Sequence, residues 1–185
     1  MKYNKANKIF FGVIIFMFIS FVGEAQIFEQ GSKFVNLGFG VGAGYSGSGL
    51  TTSLPPISAS FESGITDKIG VGGIIGYSSF SQSVAIPFLG SYNGKYSYLL
   101  IGARGQYHFD MNVDKLDFYG GVMLGYNIVS VSGFESLPGY TASSSSGLAI
   151  GLYLGGRYMF TEKIGGFAEL GYSIAILNLG VTAKF

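Results

Sequence analysis

Lys33-Phe34-Val35-Asn36-Leu37-Gly38-Phe39-Gly40-Val41-Gly42-Ala43-Gly44-Tyr45 decides the fold. Val35, Leu37, Phe39, Val41, Ala43 and Tyr45 occupy one parity, while Asn36, Gly38, Gly40, Gly42 and Gly44 occupy the other. Side chains of an extended chain alternate between two faces, so this segment is a strand with one greasy face and one nearly bare. The division recurs downstream. Leu99, Ile101, Ala103, Tyr107 and Phe109 oppose Gly102, Arg104, Gln106 and His108, and Leu148, Ile150, Leu152, Leu154 and Tyr158 oppose Gly151, Gly155 and Arg157. Alternation alone does not separate a soluble sandwich from a membrane barrel, because both have two unlike faces.

Working outward, three segments resemble one another: Thr66-Asp67-Lys68-Ile69, Val113-Asp114-Lys115-Leu116 and Thr161-Glu162-Lys163-Ile164, spaced by 47 and then 48 residues. Each is followed by a strand-like run that reaches Gly76-Tyr77, Gly125-Tyr126 or Gly171-Tyr172. Each unit holds two long alternating stretches, one loop and one tight acidic-basic turn, which makes it a repeated β-hairpin rather than a propeller blade or solenoid coil. Alternation between the turns predicts eight strands, near 33–45, 56–65, 68–80, 95–109, 116–129, 146–160, 164–174 and 176–185. Most reach the roughly 9–11 residues that a tilted strand needs to cross a bilayer.

Loop length and aromatic placement then choose the barrel. The repeated turns are short, whereas the connections near 46–55, 81–94 and 130–145 are long and rich in Ser and Gly. Short turns on the periplasmic side and long loops outside are the outer-membrane pattern. Tyr45, Tyr77, Tyr126 and Tyr172 lie on the apolar parity near the loop end, and Tyr107, Phe109, Phe118, Tyr158 and Phe160 near the turn end. From Ile69 to Tyr77, a rise of about 3.3 Å per residue at 45° tilt spans roughly 19 Å, close to the apolar band of such barrels. The expected fold is an all-β, eight-stranded antiparallel transmembrane β-barrel, an up-and-down meander whose polar parity faces the lumen. Closure leaves no free strand edge, so a monomer is expected.

Composition agrees. Of 185 residues 48% are hydrophobic and only 11% charged, with 31 Gly, 13 Tyr, 17 Phe and no Trp, a mixture suited to pleated structure and hostile to helix. The absence of cysteine excludes disulfides, thiol catalysis and cysteine-ligated zinc. Lys2, Lys5 and Lys8 form a positive n-region, Ile9 to Val22 an apolar h-region, and Gly23-Glu24-Ala25 a small-residue cleavage site. Residues 1–25 therefore read as a cleaved signal peptide and 26–185 as the barrel domain. The apolar run falls short of the roughly 20 residues of a membrane-spanning helix. Without the export segment 8 basic and 9 acidic residues remain, and no basic face for nucleic acid exists.

The signal peptide, the repeated hairpins and the final strand Leu177-Asn178-Leu179-Gly180-Val181-Thr182-Ala183-Lys184-Phe185 resemble the small outer-membrane β-barrel or porin-like family, of OmpA-barrel or OmpX size. The resemblance covers the whole mature chain and implies residence in the outer membrane of a Gram-negative bacterium. It also implies that Leu179, Val181, Ala183 and the terminal Phe185 form the signal read by the barrel-assembly machinery. Such features are specific for location and weak for activity.

Glu62, Arg104, Asp117, Arg157 and Glu169 all take the inward parity within a few residues of a short turn, so they should meet as a charge cluster in the turn-side half of the lumen. A hairpin centred on Glu162 sets Arg157 across from Phe167 and diagonal to Glu169. The cluster reads either as a structural plug or as a constriction that selects ions. Inward glycines, among them Gly38, Gly70, Gly72 and Gly76, leave room for Arg104, Tyr153 or Arg157, or for water, and counting does not choose. His108, the sole histidine, falls roughly opposite Asp117. A catalytic pair would need a hydroxyl nucleophile, and the family's lipid-modifying members would act at the other leaflet, so His108 reads as a satisfied interior residue.

Asp110-x-Asn112-x-Asp114 imitates a calcium loop but has Lys115 and Gly121 where glycine and glutamate belong, so it reads as a turn. Gly38-x-Gly40-x-Gly42 and Gly70-x-Gly72-Gly73 sit inside strands with no helix following, and read as lumen glycines rather than nucleotide motifs. No catalytic, metal or cofactor residues are assigned. Leu50 to Pro56, Ser78 to Tyr92, with Phe88, Leu89 and Tyr92, and Phe134 to Tyr140 are outer segments that either anchor a ligand or pack over the mouth. The expected role is structural, adhesive or partner-binding through these loops, toward an unknown extracellular ligand. A narrow passive channel and a lipid-modifying enzyme are the alternatives.

Overall fold

The structure, a computed structural model, describes residues 27–42, 51–86, 90–111, 113–133 and 146–185. The proposed signal peptide, Tyr45, Leu50, Asn112, Phe88, Leu89 and Phe134 to Tyr140 lie outside the described residues. Eight strands form one closed barrel in sequence order: β1 Lys33–Val41, β2 Thr51–Gly64, β3 Ile69–Ile86, β4 Gly90–Phe109, β5 Leu116–Ser132, β6 Gly147–Met159, β7 Ile164–Tyr172 and β8 Leu177–Lys184. Every neighbouring pair is antiparallel, and β8 returns to β1 with Val35 opposite Ala183, Leu37 opposite Val181 and Phe39 opposite Leu179. The expected meander is the observed one.

The wall is inside-out by the standards of a soluble protein. Leu148 is 80% exposed and Ile150 70%, while Arg157 is completely buried. A continuous belt of exposed Leu, Ile, Val and Phe around a closed barrel, with charges inside, fits a lipid solvent and no aqueous one. Tyr126 and Tyr172 mark the loop-end rim of this belt. At the turn end Tyr107 meets Phe109 and Tyr158 meets Phe160 edge to face, at centroid separations of 5.5 and 5.7 Å.

The short turns are built by their own sequence. Thr66 Oγ1 accepts from the Lys68 and Ile69 amides at 3.2 and 3.0 Å, and Thr161 Oγ1 accepts from Lys163 and Ile164 at 3.3 and 3.0 Å. The middle copy has Val113 where the others have threonine. There the Leu116 amide bonds the Val113 carbonyl and Lys115 takes a left-handed φ of 63°.

The loop end departs from the reading of the sequence in three places. The expected loop at 81–94 is mostly hairpin, with β3 and β4 paired from Ile69 opposite Tyr107 as far as Ile86 opposite Gly90. Apolar alternation ends where the lipid ends, but the hydrogen-bonded ladder continues through Ser- and Tyr-rich sequence beyond it. Similarly, β2 begins at Thr51 and carries Pro55 and Pro56 in the strand. β1 pairs with β2 no farther than Ile57, so these prolines, which donate no amide hydrogen, sit on an unpaired edge beside two register shifts. Third, the tight connection after β7 folds inward: Ile174 and Ala175 are buried, 3% and 5% exposed. A methyl group on Gly76 or Gly40 would overlap Ile174 or Ala175, so both glycines make room for this inserted turn.

Candidate functional site

The lumen is filled in two tiers. The loop-side tier is apolar: Ile74, Leu100, Met123, Tyr153, Ile174 and Ala175 pack with the Tyr119 ring into one buried cluster. These residues come from β3, β4, β5, β6 and the inserted turn. Glycines directly opposite on the neighbouring strand admit the aromatic rings, since Tyr153 of β6 lies over Gly121 of β5 and Tyr119 of β5 over Gly155 of β6.

The turn-side tier is ionic and contains every charged residue expected there. Glu62 on β2, Arg104 on β4, Asp117 on β5, Arg157 on β6 and Glu169 on β7 are each 5% exposed or less. The sequence reading set Arg157 diagonal to Glu169, and Arg157 does face Phe167 in register. Its guanidinium nevertheless turns away from Glu169, donating from Nη2 to Glu62 Oε2 at 2.8 Å and from Nη1 to Asp117 Oδ2 at 3.0 Å. Glu169 Oε1 accepts from Arg104 Nη2 at 2.7 Å and from Tyr119 Oη at 2.9 Å. Arg104 also donates to Tyr153 Oη at 2.7 Å and Ser60 Oγ at 3.3 Å.

His108 completes the ring. Its Nδ1 lies 2.7 Å from Asp117 Oδ1 and its Nε2 2.8 Å from Glu62 Oε1, so each carboxylate is shared between His108 and Arg157. Carboxylate oxygens only accept, so the geometry is satisfied by a ring donating from both nitrogens. Three positive side chains then face three negative ones, the balance that charges removed from water require. Arg157 is further held over the Phe34 ring at 3.8 Å and the Tyr119 ring at 5.1 Å.

Tyr119, Ser60 and Phe34 belong to this site and were not singled out in the sequence, although Tyr119 shares the inward parity of Asp117 two residues earlier; Tyr153, expected to fill space left by inward glycines, does so and bonds Arg104. With both nitrogens engaged, His108 has none left to activate a hydroxyl. Among the described residues no group of three or more His, Cys, Asp or Glu is placed to hold a metal ion. Leu179, Val181 and Ala183 face outward along β8, and Phe185, 76% exposed, donates its amide to the Lys33 carbonyl at the β1 seam.

No family model and no curated protein sequence matches the chain. Among solved structures, the outer membrane protein OprG from Pseudomonas aeruginosa is similar with a TM-score of 0.60 at 13% identity, covering 88% of this chain and 99% of that one. The N-terminal β-barrel domain of Pseudomonas aeruginosa OprF is similar with a TM-score of 0.52 at 15% identity, covering 84% and 98%. At such identities the likeness speaks for architecture alone. The chain has the fold of the small eight-stranded outer-membrane barrels.

Proposed function

We propose that this protein is a sealed outer-membrane barrel whose role is structural, adhesive or partner-binding at its loop end, rather than a conduit. The observation that carries the reading is the doubly filled lumen. A selective pore needs a continuous wet path lined by its charges, whereas here the charges pair with one another and an apolar tier lies across the path. The exposed apolar belt supports lipid as the surrounding partner, and the β8 pattern ending at Phe185 supports delivery by the barrel-assembly machinery.

The loop end supports the interactive side of the proposal. Among the described residues the β3–β4 ladder runs on to Ile86 opposite Gly90, past the last described pairs with β2 at Ser81 and with β5 at Lys95. Catalysis on lipid receives no comparable support, because the only histidine sits at the turn end with both nitrogens occupied. The test is ion conductance of the refolded mature protein in planar bilayers, alongside Arg104→Ala and Arg157→Ala. Silence in the wild type is expected; reproducible wild-type steps whose selectivity changes in either variant would return the channel reading.

A further inference from the structure

At the turn-end mouth the ionic tier is covered by Phe28. Phe28, five residues before β1, is only 2% exposed and its ring stacks on His108 at a centroid separation of 3.4 Å and an interplanar angle of 5°. It packs with Phe34 and Met159, and Ile27 lies against the same cluster. The chain on either side is tied to the rim: Lys184 Nζ donates to the Ile27 carbonyl at 2.8 Å, the Gln30 amide to Asp67 Oδ1 at 3.0 Å and Gln30 Nε2 to the Ile65 carbonyl at 3.2 Å. Gly31, at φ +88°, turns the segment into β1 and donates its amide to the Gly64 carbonyl at 2.9 Å. The segment passes so near Gly64 that a methyl group there would overlap the Glu29 carbonyl oxygen.

None of this is needed to close the wall. The ladder of eight strands is complete from Lys33 onward, and residues 27–32 only occupy its mouth. We propose that the turn-end mouth is a binding site for a short peptide bearing a buried aromatic side chain, filled in this chain by its own residues 27–32, which act as a separable stopper over the ionic tier. The aromatic ring supplies the contact with His108, Phe34 and Met159, and the backbone and amide bonds to Ile65, Gly64, Asp67 and Lys184 supply register. Tethering makes binding intramolecular, so weak contacts suffice for high occupancy. With the stopper withdrawn, the turn-side half of the lumen becomes a blind, charged vestibule, because the apolar tier still closes its far end. The inference thus rests on the sealed-barrel reading.

The chain has no cysteine, so a single cysteine at Met159, which is 4% exposed beneath Phe28, reports access. Labelling of Met159→Cys by a charged, water-soluble thiol reagent should accelerate about tenfold or more when Phe28→Ala is added. It should accelerate likewise with Gly64→Ala, whose methyl group would crowd both the Glu29 carbonyl oxygen and the edge of the Phe28 ring, or with residues 27–30 deleted. A synthetic peptide of residues 27–32 should restore protection to the deletion variant, and the same peptide with Phe28→Ala should not. Equal labelling rates in all backgrounds, or no protection by the peptide, would overturn the proposal. Failure of the deletion variant to refold would also overturn it, because the segment would then be part of the folding core. Conductance of the same variants separates the two readings: current through the deleted form means that the apolar tier does not seal, whereas silence with unchanged labelling rejects the stopper alone.

Discussion

The two tiers of the lumen solve the same problem with opposite chemistry. On the loop side, Leu100, Met123, Ile74 and Ile174 fill space and need only shape. On the turn side, Glu62, Asp117, His108 and Arg157 fill space with groups that tolerate burial only as a set. A mismatch in the first tier costs contact in proportion to the atoms lost; a mismatch in the second leaves a charge without a partner in a barrel surrounded by lipid. Packing in the apolar tier should therefore degrade gradually and the ionic tier abruptly.

The largest expected effect breaks that contrast at its strongest point. Arg157→Ala leaves Glu62 and Asp117 to share His108 alone and should lower stability by about 3–5 kcal/mol, measured by urea unfolding in lipid vesicles. A loss no greater than that of an apolar truncation would show that water reaches the tier. Next, Ile174→Ala removes the tip of the inserted turn and should cost about 2–4 kcal/mol through the cavity it leaves under Gly76. Tyr119→Phe deletes one of two donors to Glu169 Oε1 while Arg104 keeps the other, so about 1 kcal/mol is expected in the same assay. Smallest of all, Ile150→Val on the lipid face trades one exposed apolar side chain for another, and its unfolding midpoint should stay within about 0.5 kcal/mol of wild type.

What was legible in the sequence is what a period of two can carry. Parity assigns Glu62, Arg104, Asp117, Arg157 and Glu169 to the lumen, and the turn repeats place them near one end. Parity does not say who pairs with whom. Arg157 bonds Glu62, 95 residues away across the lumen, rather than the diagonal Glu169 on the adjacent strand. Strand tilt and the reach of a guanidinium decide that choice, and neither is written in local sequence. Phe28 escaped notice because no periodic pattern surrounds it. The strand extensions at 51–55 and 81–86 escaped because a polar ladder beyond the lipid edge lacks the apolar alternation used to find strands. Ile174 and Ala175 belong to a turn so short that its inward course depends on the space left by glycines on distant strands.

The inward fold of that turn ties the filling of the interior to the closing of the wall. Ile174 and Ala175 ride on the β7–β8 hairpin, and β8 also makes the closing seam with β1. Without this hairpin, the six preceding strands would enclose a furrow in which Gly40 and Gly76 lack the Ala175 and Ile174 side chains that now cover them. The strand that zips the seam therefore carries its own cork, so the hairpin that completes the wall is also the one that fills the space beneath it.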